Sequence, residues 1–269
     1  MTTDQVVAEA AARLTEASES GTPCPPVRDL LGTHDVELAY RVQDRLVRAR
    51  VAAGDLPIGR KIGLTSVAVQ KQLGVEQPDF GTLLTSMQVE QDVPVASGRL
   101  LQPRIEAEVA FVLGADLTSL EPTVEEVAAA VSGVRAALEI VDSRIAGWDI
   151  GITDTVADNA SSGMFVLGDV ELTLEQIRPV DVTMELERDG EVVSTGTGAA
   201  CLGDPLVAVQ WLARTAAALG QPLRAGEVVL SGALGPMVPV TPGERYVARI
   251  SGLGEVRATF AADVQGDSR

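Results

Sequence analysis

The strongest structural signal in the chain is IEAEVAFVLG at residues 105–114, which predicts a β-strand in the protein interior. Glu106 and Glu108 stand two positions apart, so their side chains point to the same face of this strand. Two adjacent carboxylates in apolar surroundings repel each other and are costly to desolvate, and a divalent cation removes that cost. The spacing alone is satisfied equally well by a half-exposed edge strand whose two acids face water.

A second apolar stretch, ALEIVDSRI at residues 137–145, places Glu139 among neighbours that indicate burial. A buried glutamate needs a partner. One alternative is an ion pair, and the candidate arginines are Arg104, Arg135 and Arg144. The other alternative is a shared metal site with Glu106 and Glu108, open enough for water and substrate to complete the metal shell. Mg²⁺ and Mn²⁺ prefer such oxygen ligands, so these three glutamates are the candidate metal ligands.

Lys61 lies in GRKIGLTS, residues 59–66, between two glycines that allow a ligand to approach the backbone closely. A lysine near a metal ion and carboxylates can hold its proton or release it, which makes Lys61 a candidate catalytic residue. The alternative is a surface lysine at the start of a strand.

Two loops complete the set of candidate residues. DNASSG, residues 158–163, has hydroxyls at Ser161 and Ser162 that are suited to bind a substrate carboxylate, although the same letters also describe a simple turn. Asp79 and Phe80 in QPDFG are expected in a lid or a turn. Asp79 is our candidate for the group that activates water.

The formal net charge of −17 makes nucleic acid and anionic membrane surfaces unfavourable partners. No stretch approaches the ~20 apolar residues of a membrane span. An acidic protein that handles an anionic substrate needs a local positive centre, and a metal ion supplies one.

The rare residue types narrow the chemistry further. Cys24 and Cys201 have no CxxC spacing and fit a reducing compartment, and the N-terminus has no apolar run of signal-peptide length, so we expect a cytoplasmic protein. His34 is the only histidine and is expected on the surface at a helix start. Since catalytic triads, histidine-rich zinc sites and Cys–His dyads all need histidine, catalysis is expected to rest on carboxylates, a lysine or a metal.

The predicted elements place helices before strands. Helices are expected at residues 4–18, 35–53, 67–74, 124–132 and after Asp204-Pro205 as far as Gly220, and a hairpin is expected at Asp189-Gly190. The strand-rich segments lie mostly between and after these helices, without a regular βαβ alternation. The predicted fold is therefore α+β, with a small α-rich N-terminal part at residues 1–58 and a strand-rich catalytic domain at residues 59–269.

Six stretches together resemble a known enzyme family: GRKIGLTS, VQKQLGVEQPDFG, LQPRIEAEVAFVLG, EIVDSRI, DTVADNASSG and VLSGALGPMVPV. They are similar to the 2-oxopent-4-enoate (2-hydroxypenta-2,4-dienoate) hydratases of the fumarylacetoacetate hydrolase superfamily, which stand beside the 4-oxalocrotonate decarboxylases. The resemblance spans residues 35–261. It implies the mixed β-sheet roll of that superfamily's C-terminal domain, and Mg²⁺ or Mn²⁺ held by Glu106, Glu108 and Glu139. It also implies that Lys61, Ser161 and Ser162 belong to the active site.

The activity implied by the resemblance is metal-dependent hydration of 2-hydroxypenta-2,4-dienoate to 4-hydroxy-2-oxopentanoate, in aromatic or related catabolism. The expected partners are this small-molecule substrate, further copies of the chain in a homo-oligomer and, as one alternative, a downstream aldolase or decarboxylase. The competing functions are a 4-oxalocrotonate-type decarboxylase, an acylpyruvate hydrolase and a non-catalytic partner subunit. The hydrolases use a His–Glu pair on an N-terminal lid, and His34 with Glu37 does not clearly supply one.

Overall fold

The computed structural model describes residues 1–66, 70, 75, 77–91 and 93–262. The chain begins with helices α1 Thr3–Ser20, α2 Arg28–Leu31 and α3 Val36–Ala52. The predictions at residues 4–18 and 35–53 are confirmed to within two residues at each end. The Asp35 side chain accepts a hydrogen bond from the backbone N–H of Leu38, which caps α3 where His34 was expected to precede a helix.

Three further α-helices lie in the rest of the described chain: α4 Val124–Ala130, α5 Ile152–Ala157 and α6 Pro205–Ala218. The strands are β1 Pro57–Gly63, β2 Asp79–Leu84, β3 Arg104–Leu113, β4 Val131–Val141, β5 Ser162–Leu172, β6 Thr183–Arg188, β7 Glu191–Thr197, β8 Val228–Ala233, β9 Val238–Pro239, β10 Arg245–Ile250 and β11 Gly254–Thr259. In the described residues the strands form two sheets, and the predicted combination of a helical N-terminal part with a mixed sheet is confirmed.

The larger sheet has the order β2-β1-β8-β3-β4-β5, with β9 paired to β3. Strands β1 and β8 are parallel and the other pairs are antiparallel, so the sheet is mixed. The smaller sheet has the order β11-β10-β6-β7. The predicted hairpin joins β6 to β7, and its turn residues Asp189 and Gly190 both have positive φ, 49° and 87°.

The main core lies between the two sheets and beneath α6. Large buried side chains from both sheets meet there, among them Phe111, Leu138 and Tyr246. A second cluster joins the N-terminal helices to α5, because apolar residues of α1 and α3 share it with Ile152 and Val156. This second cluster holds α5 near β2, the edge strand that begins at Asp79, and Thr155 of α5 contacts Asp79 there.

Both boundaries of the strand predicted at 137–145 are wrong, and one further prediction lies outside the described residues. The helix predicted at 124–132 is confirmed to within two residues, since it ends at Ala130, and β4 begins at Val131 and pairs with β3 from there. The strand predicted at 137–145 therefore starts six residues earlier and ends at Val141. Most of the helix predicted at 67–74 falls on residues that the structure does not describe. The division into residues 1–58 and 59–269 stays a prediction. No described helix is long and apolar enough to cross a membrane.

Candidate active site

The register of β3 against β4 brings the three predicted metal ligands together. Glu106 pairs directly with Glu139, and Glu108 lies two residues further along the same face of β3. One carboxylate oxygen from each residue lies within 4.8 Å of the others. Glu108 and Glu139 are buried and Glu106 is half-buried, so the cluster opens towards Glu106. The alternative of an exposed edge strand is wrong, since β3 is paired on both sides.

The oxygens of this cluster have few hydrogen-bond donors. The backbone N–H of Gly232 donates to Glu108 Oε2 at 2.7 Å. Within the described residues, Glu108 Oε1 and Glu139 Oε2 have no hydrogen-bond donor, and Glu139 Oε1 faces the Lys61 ammonium at 3.1 Å without a well-aligned hydrogen bond. Buried polar atoms are normally satisfied, so unsatisfied oxygens that converge on one point fit a divalent cation. Three carboxylates suit Mg²⁺ or Mn²⁺, because both ions prefer oxygen ligands and keep positions open for water and substrate.

Without a cation, the carboxyl groups hold protons more strongly than usual. Burial and the charge of Glu139 raise the pKa of Glu106 to about 8. Burial, Glu139 and Glu106 raise the pKa of Glu108 well above its ordinary value, and burial also raises that of Glu139. The cause is the same for all three, because an anion is disfavoured where water is excluded and another anion is near. A bound cation reverses this balance.

Lys61 supplies the positive charge beside the cluster. Its Nζ lies 3.1 Å from Glu139 Oε1 and donates a hydrogen bond to the carbonyl oxygen of Ala160 at 2.9 Å. The side chain is 3% exposed, so the alternative of a surface lysine is wrong. Burial alone would lower the pKa of Lys61. The negative charges of Glu139, Asp79 and the other glutamates outweigh this effect and raise the pKa above its ordinary value, so the amine stays protonated.

The arginines proposed as alternative partners of Glu139 lie elsewhere. Arg104 stacks over the ring of Trp148 with its Cζ 4.5 Å from the centroid. Arg135 donates two hydrogen bonds to the carbonyl oxygen of Gly168. Arg144 pairs with Asp158. None of the three forms an ion pair with Glu139 in the described chain, where the partner of that residue is Lys61.

Asp79 is the first residue of β2 and is 1% exposed, so the expectation of a lid or a turn at this position is wrong. Phe80 is equally fixed, since its ring stacks on Tyr40 with centroids 4.7 Å apart. The Asp79 carboxylate lies above Gly63, where a Cβ would overlap Asp79 Oδ1 and would lie 3.5 Å from Lys61 Nζ. The Asp79 and Lys61 head groups therefore lie on the same side of this glycine, although they do not form an ion pair within 4 Å. Burial raises the pKa of Asp79, and the charge of Lys61 opposes that shift.

Three consecutive residues of the DNASSG loop have left-handed backbone, with φ of 53°, 53° and 51° at Asn159, Ala160 and Ser161. Each such residue costs about 1–2 kcal/mol, so other contacts must hold the turn. The Asn159 side chain provides them, because it accepts from Thr82 N at 2.8 Å and donates to Thr82 O at 2.9 Å. Gly81 leaves space for the turn, since a Cβ there would overlap Asn159 O. The turn directs the Ala160 carbonyl to Lys61.

The two loop serines have different surroundings. Ser162 Oγ donates to the carbonyl oxygen of Asn159 at 2.5 Å, so its proton is used within the turn. Ser161 Oγ lies 3.4 Å from Thr155 Oγ1, which in turn donates to Asp79 Oδ2 at 3.0 Å. Ser161 therefore joins a buried group of polar side chains beside Lys61.

Three residues of the site were not predicted from the sequence: Thr155, Asn159 and Gly232. Thr155 lies on the short helix α5, which the letter pattern did not reveal, and it comes close to Asp79 only through the packing of α5 on β2. Asn159 was inside a selected loop, but no role was assigned to it. Gly232 contributes a backbone N–H, which no side-chain pattern signals.

Comparison with known proteins agrees with this geometry. The family model described as fumarylacetoacetate (FAA) hydrolase C-terminal matches residues 63–261. The chain is 53% identical to the TodF product hydratase of Pseudomonas putida, over 95% of both chains. It is 51% identical to a 2-keto-4-pentenoate hydratase of Paraburkholderia xenovorans, over 97% of both chains.

A solved structure extends the comparison to three dimensions. The 4-oxalocrotonate decarboxylase from Pseudomonas putida G7, complexed with magnesium and adipate, superposes with a TM-score of 0.92. It is 35% identical, and the match covers 97% of this chain and 98% of that one. The match to the family model includes β3, β4 and β8, the strands that carry the carboxylate cluster and its backbone donor. The chain belongs to the fumarylacetoacetate (FAA) hydrolase C-terminal family.

Proposed function

We propose that this protein is a divalent-metal-dependent hydratase that converts 2-hydroxypenta-2,4-dienoate into 4-hydroxy-2-oxopentanoate. The observation that carries the proposal is the group of three carboxylates with unsatisfied oxygens next to the buried Lys61 ammonium. Near-full-length relatives at 51–53% identity are named as hydratases of this substrate type, which supports the same reaction class.

The residues proposed to hold Mg²⁺ or Mn²⁺ are Glu106, Glu108 and Glu139. When bound, the cation supplies a Lewis acid that stabilises negative charge on the 2-oxygen of the substrate. The choice of metal is supported by the all-carboxylate ligand set and by the magnesium in the related decarboxylase.

Lys61 is proposed to move the first proton. The dienol loses the proton of its 2-hydroxyl and gains one at C5, which gives the 2-oxo-3-enoate with an electrophilic C4. Lys61 is protonated and lies beside the cluster, so it can donate to carbon and recover the proton from oxygen. Replacement by alanine is expected to lower the rate by ~10²–10⁴.

Asp79 is proposed to activate water for the second step. The carboxylate takes a proton from the water, the oxygen adds to C4, and a proton is delivered to C3. Its buried position raises the pKa of Asp79 and makes the carboxylate a stronger base than an exposed one. Ser161 and Ser162 are proposed to line the substrate site, with Ser162 acting through the Asn159 carbonyl to which it donates.

The reaction is tested with freshly generated 2-hydroxypenta-2,4-dienoate, with and without Mg²⁺, by loss of dienol absorbance and identification of the product. Metal-dependent formation of 4-hydroxy-2-oxopentanoate is expected. Release of CO₂ from 2-oxohex-3-enedioate, with no hydration, would instead place the chain with the decarboxylases. Absence of activity on both substrates would contradict the hydratase assignment and the decarboxylase assignment alike.

A matched control variant is available in the same chain. Glu185 and Glu187 on β6 repeat the Glu-x-Glu spacing, but Glu185 is exposed and Glu187 pairs with Arg249. Glu185→Gln should keep full activity, whereas Glu108→Gln and Glu139→Gln should lose metal-dependent turnover. Equal activity in all three variants would sink the assignment of the ligands.

We also propose that the protein is a cytoplasmic homo-oligomer. Both cysteines are free and buried, which fits a reducing compartment, and the family resemblance supports self-association. Size-exclusion chromatography with light scattering tests the oligomer, and co-purification with an aldolase or decarboxylase tests a wider complex.

A further inference from the structure

Thr155 occupies a position between the proposed base and the substrate loop. It lies on α5, is 4% exposed, and donates its hydroxyl to Asp79 Oδ2 at 3.0 Å. The same hydroxyl oxygen lies 3.4 Å from Ser161 Oγ. Thr155 therefore touches two proposed active-site residues without itself belonging to the carboxylate cluster.

The number of protons in this group fixes the direction of its hydrogen bonds. A threonine hydroxyl has one proton to donate, and that of Thr155 goes to the Asp79 carboxylate, which can only accept. In the contact with Ser161, Thr155 must then be the acceptor and Ser161 the donor. The proton of Ser161 points to Thr155, and the lone pairs of Ser161 Oγ remain for a donor on its other side.

The two carboxylate oxygens of Asp79 therefore have different surroundings. Oδ2 is held by Thr155, while Oδ1 is the oxygen that lies above Gly63, on the side where Lys61 Nζ also lies. A water molecule that lay between Asp79 Oδ1 and Ser161 Oγ would donate one proton to each of these oxygens. Such a water would be held by two acceptors, with its own lone pairs left for attack on carbon.

We propose that Thr155 is a positioning residue of the hydration step, which fixes the Asp79 carboxylate and makes Ser161 an acceptor for the attacking water. This inference rests on the proposed function. It assigns Thr155 no part in the first proton transfer, because its hydroxyl contacts neither Lys61 nor the glutamates among the described contacts.

The same helix supplies a matched control. Thr153 is 0% exposed, and its hydroxyl donates to the carbonyl oxygen of Gly32 at 2.7 Å, away from Asp79. Thr155→Val and Thr153→Val each replace a buried hydroxyl by a methyl of similar size. Any general effect of losing a buried hydrogen bond on α5 should appear in both variants.

The experiment compares wild type, Thr155→Val, Thr155→Ser and Thr153→Val with 2-hydroxypenta-2,4-dienoate and excess Mg²⁺. Thr155→Val is expected to lower kcat by roughly 10-fold to 100-fold, the effect of a misplaced reacting group, while KM changes by less than about 3-fold. Thr155→Ser restores the hydroxyl and should recover most of kcat. Thr153→Val should keep the wild-type kcat.

A partial reaction separates the two proton transfers. Incorporation of deuterium at C5 from D₂O reports the first step, and it should persist in Thr155→Val while hydration is slowed. Wild-type kcat in Thr155→Val, equal loss in Thr155→Ser, or equal loss of both steps would overturn the proposal. If Thr155→Val does not fold, the smaller Thr155→Ala is read by the same criteria. Absence of hydration by wild type would instead contradict the proposed function itself.

Discussion

Replacing Glu108 by glutamine should make the metal-free protein more stable and the metal-containing protein less stable than wild type. In the wild-type protein the backbone N–H of Gly232 donates to Glu108 Oε2 at 2.7 Å. Glutamine keeps the size of the side chain, and its amide oxygen can still accept this hydrogen bond. The change removes one charge from a cluster whose ligand atoms lie within 4.8 Å. At that distance and an effective dielectric constant of about 20, two unit charges repel by roughly 3.5 kcal/mol.

Protonation of the glutamates limits the stability that Glu108→Gln gains in the metal-free protein, and it also sets the pH range in which the gain is seen. Burial and Glu139 raise the pKa of Glu106 from 4.5 to about 8 in the folded protein. A raised carboxyl pKa gives a contribution to stability that is present below the unfolded pKa and is lost as the pH rises to the folded one. Because the pKa of Glu108 is itself raised well above its ordinary value, the gain from Glu108→Gln should grow as the pH rises to 8 and beyond, to about 2 kcal/mol or ~4–8 °C in Tm for a protein of this size.

The assay is thermal unfolding followed by circular dichroism, in EDTA and in excess Mg²⁺. Wild type should gain roughly 2.7 kcal/mol at a metal concentration a hundred times Kd, and the variant much less, so their order reverses. Glu185→Gln should follow wild type in both buffers. A Glu108→Gln protein that is less stable than wild type in EDTA, or equally stabilised by Mg²⁺, would refute the electrostatic reasoning.

Three further changes have defined outcomes. Gly63→Ala places a Cβ against Asp79 Oδ1 and should lower kcat by about 100-fold in a folded protein, as checked by steady-state kinetics and circular dichroism. Asn159→Asp removes the donor to Thr82 O and should lower the free energy of unfolding by about 1–3 kcal/mol, measured in urea; an unchanged midpoint would mean that the left-handed turn is held by other contacts. Burial alone would raise the pKa of Asp55, but hydrogen bonds from neighbouring hydroxyls outweigh this effect and bring the pKa below its usual range. Asp55→Asn should therefore cost about 1–3 kcal/mol at neutral pH, and urea titrations should show that difference shrinking as the pH falls below about 4.

The sequence contains two Glu-x-Glu strands, and their neighbouring residues differ. In β6 the glutamates alternate with Met184 and Leu186, which are buried, so the acids face solvent. In β3 apolar residues continue on both faces beyond Glu108, which indicates a strand covered on both sides. This difference in pattern distinguishes the two strands, whereas the register that places Glu139 opposite Glu106 is given only by the structure.

The hydrogen-bond network around Asp79 could not be obtained in the same way. Thr155 reaches Asp79 across 76 positions of sequence, through a six-residue helix whose residues are all buried and therefore show no amphipathic period. The left-handed turn at Asn159 to Ser161 has no glycine to signal it, because contacts with Thr82 impose it from outside. Both features depend on tertiary packing, which local sequence patterns do not predict.

The position of β3 has a consequence for how quickly a bound cation can leave. Glu106 and Glu108 stand on a strand that is hydrogen-bonded to β4 on one side and to β8 and β9 on the other. Amides of such interior strands exchange with solvent mainly through global unfolding, whereas loops open locally and often. Metal exchange in the native protein should therefore proceed by rotation of carboxylate side chains on a static backbone, and amide exchange along β3 should stay slow while the cation turns over.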